Sequence, residues 1–129
     1  MATVSLNRDI HEVHSGLDGI VIVKALADLP GGRALDVSGV ASDVKVLRAG
    51  HIIIVDGDGN YKPMPVSGKA YSTLPSGHSY AGVLKASVPV KDARAAIVTM
   101  GQVNAAASPY PVTSAIKSAL SGIQFLYEA

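Results

Sequence analysis

Three runs rich in Val and Ile most constrain what this chain can fold into: residues 46–56, 81–90 and 95–103. Each is bounded by Gly, Pro, Asp or Asn. Branched aliphatic side chains flanked by turn formers read as strands closed by turns. The segment His51-Ile52-Ile53-Ile54-Val55 is the strongest strand pattern of all. Asp56-Gly57-Asp58-Gly59-Asn60 follows it and signals a hairpin, because Gly supplies positive φ and Asp and Asn tolerate it. Residues 61–66 then run back. Pro63 and Pro65 cannot donate to a ladder, so this return strand is expected to be short or at a sheet edge. Runs 81–90 and 95–103 flank Pro89-Val90-Lys91-Asp92 and can pair as a long hairpin.

Composition narrows the class. A chain of 129 residues with 48% hydrophobic content is long enough for one globular domain. Aromatics are only 5%, with no Trp and one Phe, so the core must be aliphatic. A formal charge of +1 gives no electrostatic case for nucleic acid. The absence of Cys removes disulfide and thiolate chemistry and fits assembly in a reducing cytoplasm. The first residues lack the apolar centre of a signal peptide. The longest apolar run falls far short of the ~18 residues that a membrane helix needs.

The remaining segments complete an expected architecture. In residues 1–19, Val4, Leu6, Ile10 and Val13 are scattered among polar neighbours without a helical stripe. This segment reads as an extended arm that docks on a partner, and these four side chains are the candidate partner-binding residues. Residues 20–129 read as a single β-rich domain. Residues 20–23 suggest the start of a buried strand, broken by Leu29-Pro30-Gly31-Gly32. Residues 34–40 suggest a short extended segment, and residues 67–79 a loop. Val112, Ala115, Ile116, Ala119 and Leu120 fall on one helical face, predicting a helix over about 112–121. Thr113 or Ser114 can cap it, and Gly122 suits the position just past its end. Ile123, Phe125 and Tyr127 alternate as in a final strand. The expected fold is mainly β (a β-rich α+β class): a small sheet or barrel-like domain with one short C-terminal helix and an extended N-terminal arm.

Three patterns invite a chemical reading. Gly77-His78-Ser79-Tyr80-Ala81 approximates a nucleophile elbow, with Ala in the last Gly position. An elbow needs a strand, a turn and a helix, with Asp and then His later in the chain. The four His are at 11, 14, 51 and 78, all before Ser79. A small serine hydrolase built on Ser79 is therefore a remote alternative. Asp56, Asp58 and Asn60 match the first positions of a calcium loop, but Tyr61 and Ser67 stand where Gly and Glu are required. A hairpin turn accounts for them without metal. His11-Glu12-Val13-His14 has one residue too few between its histidines for the zinc-protease helix. No cofactor, metal or small-molecule substrate is expected from these residues.

The order of several short segments resembles the decoration (auxiliary capsid) proteins of tailed-phage heads. Leu47-Arg48-Ala49-Gly50 opening the strand, then Gly59-Asn60-Tyr61-Lys62-Pro63, is similar to their turn, strand and hairpin. Tyr80-Ala81-Gly82-Val83-Leu84 and the strand ending Met100-Gly101-Gln102-Val103-Asn104 resemble two further segments of that family. Residues 116–125, a helix followed by Gly-Ile-Gln-Phe, resemble its C-terminal pattern. The likeness spans residues 45–127 and extends to the capsid-bound bases of head fibres. It implies a non-enzymatic homotrimer, made in the host cytoplasm and bound to the major capsid protein lattice on the exterior of the virion. It also implies that the N-terminal arm faces the capsid. The alternative expectation is a capsid-anchoring base of a head fibre; the lack of a fibre repeat in the chain argues against it, but a fibre can be a separate chain.

Overall fold

The computed structural model describes residues 16–29 and 32–127. In chain order these residues form α1 (Asp18–Val21), β1 (Ile22–Asp28), β2 (Arg33–Ala34), β3 (Val46–Leu47) and β4 (Ile52–Asp56). Next come β5 (Tyr61–Pro63), β6 (Val66–Ser67), β7 (Ala70–Tyr71), β8 (His78–Leu84) and β9 (Val88–Pro89). The chain ends with β10 (Arg94–Ala95), β11 (Ile97–Asn104), α2 (Ser114–Ala119) and β12 (Ile123–Leu126). The fold is mainly β, as expected. Its main sheet runs β1-β11-β8-β4-β5, all antiparallel, and β12 joins β11 in parallel. The path is open, with β1 and β5 at its ends.

The sheet is buried on both faces at its centre. Ile52, Ile53 and Ile54 are each at most 1% exposed. Successive strand side chains point to opposite faces. Ile52 and Ile54 accordingly enter one core, with Met64, Val83, Val103 and Ile116, while Ile53 enters the other, with Leu35, Leu47, Leu84 and Ile97. The hairpin turn forms where expected, and β5 lies at the sheet edge as Pro63 requires.

Several strands are shorter than their apolar runs. Residues 46–56 divide into β3 and β4 at the Ala49-Gly50 turn. The hairpin of β8 with β11 is registered only at Leu84–Ile97 and Val83–Val98. Between them the chain leaves the sheet: β9 pairs with β3, a 3-10 turn spans Val90–Asp92, and β10 pairs with β2. Pro89 and the polar pair Lys91-Asp92 favour that excursion over a continuous ladder.

The C-terminal helix is present but shorter than 112–121. Thr113 is its N-cap: the Thr113 hydroxyl accepts from the Ile116 N–H at 3.4 Å. Ile116 and Leu120 are buried, whereas Ala115 and Ala119 are exposed, so the apolar face is narrower than the periodicity implies. Gly122 serves a different purpose from the one expected. It is not in the left-handed region; a Cβ there would lie 2.9 Å from the Thr99 carbonyl oxygen. Close approach to β11 therefore requires glycine. This crossover returns the chain as β12 beside Gly101–Asn104.

The N-terminal boundary also differs. Of the expected 1–19 arm, residues 16–19 are a turn and the opening of α1, not an extended segment. Both carboxylate oxygens of Asp18 are engaged, accepting from the Ser87 N–H and hydroxyl at 2.8 Å each. Residues 20–23 enter β1 through α1, and β1 is mostly exposed where a buried strand was expected. Residues 1–15 lie outside the described residues.

Two sets of substitutions test this packing. Ile116→Ala or Leu120→Ala should each cost about 2–5 kcal/mol in chemical denaturation. Ser118→Ala, on the exposed side of α2, should stay within about 0.5 kcal/mol. Gly101 has φ 153°, and a Cβ on it would collide with the Lys24 carbonyl of β1. Gly101→Ala should therefore cost at least ~2 kcal/mol, and the loss should appear first as faster amide exchange in β1.

Candidate functional site

Among the described residues, those with chemical signatures are not brought together as a catalytic set. Ser79 lies inside β8, paired with Val55, and the Gly77 turn before it leads into a strand rather than a helix. The elbow geometry is therefore not formed. His78 is the adjacent strand residue and so points to the opposite face. Its Nδ1–H donates to the Ser76 carbonyl at 2.9 Å, leaving Nε2 to accept from the Lys62 ammonium at 3.3 Å. His51 sits before the far end of β4, about 13 Å along the strand from the Val55 position that faces Ser79.

The calcium-like residues build a turn. Asp56 Oδ1 accepts the Asp58 and Asn60 N–H groups, both at 2.9 Å, and Oδ2 accepts from Asn60 Nδ2 at 3.1 Å. These bonds, from Asn60 above all, hold the Asp56 carboxyl below its ordinary range. The carboxylate that a metal would require is already occupied in shaping the hairpin tip. Among the described residues no group of three or more His, Asp or Glu is placed to hold a metal ion. His11, Glu12 and His14 lie outside the described residues.

An aromatic cluster of buried His51 and half-buried Tyr71 and Tyr110 joins three segments at the other end of β4. The His51 ring meets Tyr71 at 5.4 Å and Tyr110 at 5.7 Å between centroids, both nearly perpendicular. Tyr71 and Tyr110 meet at 5.2 Å. Edge-to-face contacts of this kind add to the area that aromatic rings bury. His51 Nε2 lies 2.9 Å from the Met64 carbonyl, which requires a proton on Nε2. The Tyr71 hydroxyl accepts the Ile52 N–H at 3.1 Å, and burial pushes its pKa upward. The cluster pins the 64–72 and 105–111 segments to the sheet. His51 Nε2 and the Tyr71 hydroxyl both bond to backbone, which anchors these segments.

The surface offers a clearer candidate. Leu17, Ile20, Val23, Leu26 and Met100 are 71%, 54%, 46%, 60% and 49% exposed. They run along α1, the edge strand β1 and its neighbour β11, where Ala27 faces Met100. Register against β11 shows why. One step from Val103 to Gln102 matches two steps from Ile22 to Lys24, and one step from Gly101 to Met100 matches two from Ala25 to Ala27. Val23 and Leu26 are thus the extra residues of two bulges, which re-aim side chains. The four predicted partner-binding residues, Val4, Leu6, Ile10 and Val13, lie outside the described residues. A signal for the exposed edge was present in the sequence: apolar residues at 17, 20, 23 and 26, every third position. Only Val23 and Leu26 lie on β1, where the bulges account for their spacing; Ile20 belongs to α1 and Leu17 is its N-cap.

No described helix is long and apolar enough to cross a membrane. Comparison with protein-family models, curated proteins and solved structures found no match.

His51 provides a pH test of the packing. Burial lowers its pKa, opposed in part by the bond to Met64. A proton therefore binds the unfolded chain more readily than the folded one. This contribution to stability is complete above the unfolded pKa near ~6.5 and declines as pH falls toward the folded value, by at most about 1.4 kcal/mol per pH unit. His51→Gln keeps a donor for Met64 and removes the titration. Denaturation midpoints of the two proteins, measured from pH 8 to pH 5, should diverge in slope over that window, with the wild type falling more steeply.

Proposed function

We propose that this chain is a virion structural protein that decorates and stabilises the exterior of a tailed-phage capsid as a homotrimer. One observation carries the reading. The segments that resemble decoration proteins occur in the family's order, and each corresponds to an element of one sheet: the β4–β5 hairpin, β8, β11 and the α2–β12 unit. The remaining features are in keeping with a lattice-binding role. The polar signatures are consumed in turns and loop anchoring, and the outward surface carries a concentrated apolar edge.

The mechanism is mass action. A protein that binds the assembled shell but not its dissociated subunits stabilises the shell by RT ln(1 + [L]/Kd) per site, about 2.7 kcal/mol at a hundredfold excess over Kd. Residues 1–15, with Val4, Leu6, Ile10 and Val13, are the proposed capsid-facing arm. An extended segment can add to a partner's sheet edge, with backbone bonds giving affinity and alternate side chains giving specificity.

Electron microscopy of capsids mixed with the purified chain tests the proposal. The expected result is density at regular positions on the lattice and a shell that withstands higher temperature. Removal of residues 2–15 leaves Asp18 on Ser87 and should alter thermal stability little while abolishing decoration. Undecorated shells with the full chain would overturn the function. Equal decoration by the truncated chain would overturn the role of the arm.

A further inference from the structure

We infer that Asp58 is a site of spontaneous backbone modification, where the folded chain converts an Asp-Gly linkage to isoaspartate through a cyclic imide while its other Asp-Gly pairs are protected. The reaction needs no capsid and no partner. Asp18-Gly19, Asp56-Gly57 and Asp58-Gly59 are the three such pairs in the sequence. Glycine leaves the linking amide unshielded, because it has no side chain and the widest range of backbone angles.

The chemistry is internal to the chain. The Gly59 nitrogen attacks Cγ of the protonated Asp58 carboxyl. The N–Cγ bond forms, a Cγ–O bond breaks, and the amide proton leaves with the departing hydroxyl as water. Water then adds back to the imide. Addition at Cγ restores aspartate. Addition at the main-chain carbonyl carbon breaks its bond to the Gly59 nitrogen, so that the chain runs through Cγ and a free α-carboxyl remains. One water is released and one is consumed, and no oxidant, metal or enzyme takes part.

The fold separates the three pairs. Asp58 and Gly59 are exposed at the tip of the β4–β5 hairpin. The Asp58 carboxylate has no hydrogen-bond or ion-pair partner among the described residues. Gly59 has φ 83° and nothing within 4 Å of where a Cβ would lie. Its N–H reaches the Asp56 carbonyl at 3.3 Å, beyond the usual length for such a bond, so the attacking nitrogen is weakly held. Asp56 differs in every respect. Its carboxylate takes the Asp58 and Asn60 N–H groups and Asn60 Nδ2. The same bonds keep it ionised, and an ionised carboxylate has no hydroxyl to lose. Asp18 is turned onto Ser87, with both oxygens bonded at 2.8 Å, and Gly19 is fixed in the helical turn of α1. Either carboxyl must give up its bonds before its carbon can meet the next nitrogen, which lowers the reactive population.

The product has one more methylene in the main chain between the Asp58 and Gly59 nitrogens. That displaces Asn60 from Asp56 and loosens the tip, while β4 keeps its pairing with β8 on its other side.

Ageing the purified full chain in heavy-oxygen water, at physiological temperature and mildly acidic pH, tests the assignment. Each passage through the imide leaves one heavy oxygen at the residue concerned. Peptide mass spectrometry reads the label, fragment ions assign it between residues 56 and 58, and electron-based fragmentation separates isoaspartate from aspartate. Asp58 should gain label at least ~10-fold faster than Asp56 or Asp18, as the loss of two or three restraining bonds requires. In denaturant the three should label at similar rates. An unlabelled Asp58, or equal labelling of the three in the folded chain, would overturn the inference. So would the same preference for Asp58 in the denatured chain, since sequence and not fold would then select it.

Discussion

The fold depends on one strand that must be buried on both faces. Ile52, Ile53 and Ile54 are consecutive, so whichever way β4 is turned it presents apolar surface to each side of the sheet. Each fully buried Ile contributes roughly 1.5–3 kcal/mol relative to exposure. Neither face can be left to water, and the chain has only 129 residues with which to cover two. It divides the task. Helix α2, Met64 and Ile123 cover the Ile52 and Ile54 side, while Leu35, Leu47, Ala95 and the residues around Val37 and Val88 cover the Ile53 side. The small two-stranded pairings β2–β10 and β3–β9 follow from that second demand. Loop segments lying over an apolar face must still satisfy their backbone groups, and short ladders do so.

Strand β11 bears the complementary load. It pairs with β8 at Ile97 and Val98, then parts from it and takes β12 in parallel from Gly101 to Asn104, while β1 runs along its other side. Two glycines make this crowding possible. Gly101 admits the Lys24 carbonyl of β1, and Gly122 admits the Thr99 carbonyl of β11 at the start of β12. The aromatic contacts of His51, Tyr71 and Tyr110 hold the segment leading to α2 in place. Positioning of the exposed edge is therefore tied to the core: β1 lies where it does because β11 has no side chain at residue 101.

Much of this architecture is legible in the sequence, and the rest is obscure for identifiable reasons. Ile52–Asp56, its turn and the proline-bearing return strand carry strong local signals, since β-branched residues, Gly at positive φ and missing donors act within a few positions. Helix α2 is readable from Ile116 and Leu120. The division of 46–56 and 81–90 is not readable, because Leu47 and Val88, which leave the main sheet to pair in the small β3–β9 ladder over the core, give the same apolar run as one continuous strand. Apolar content alone cannot distinguish a ladder from a covering loop. The parallel pairing of β12 depends on contacts with distant residues. The exposure of Val23 and Leu26 is the least legible feature: the bulges that turn them outward appear only in the register of β1 against β11.

An apolar edge strand is hazardous unless its mode of association is limited. A regular row of free backbone groups beside Val, Leu and Ile would template strand upon strand, and repeated addition of that kind does not close. Here the two features are separated. Bulges at Val23 and Leu26 and the charge at Lys24 spoil the backbone template, yet the bulges expose the very side chains that favour contact. An edge built in this way favours a finite assembly over a fibre.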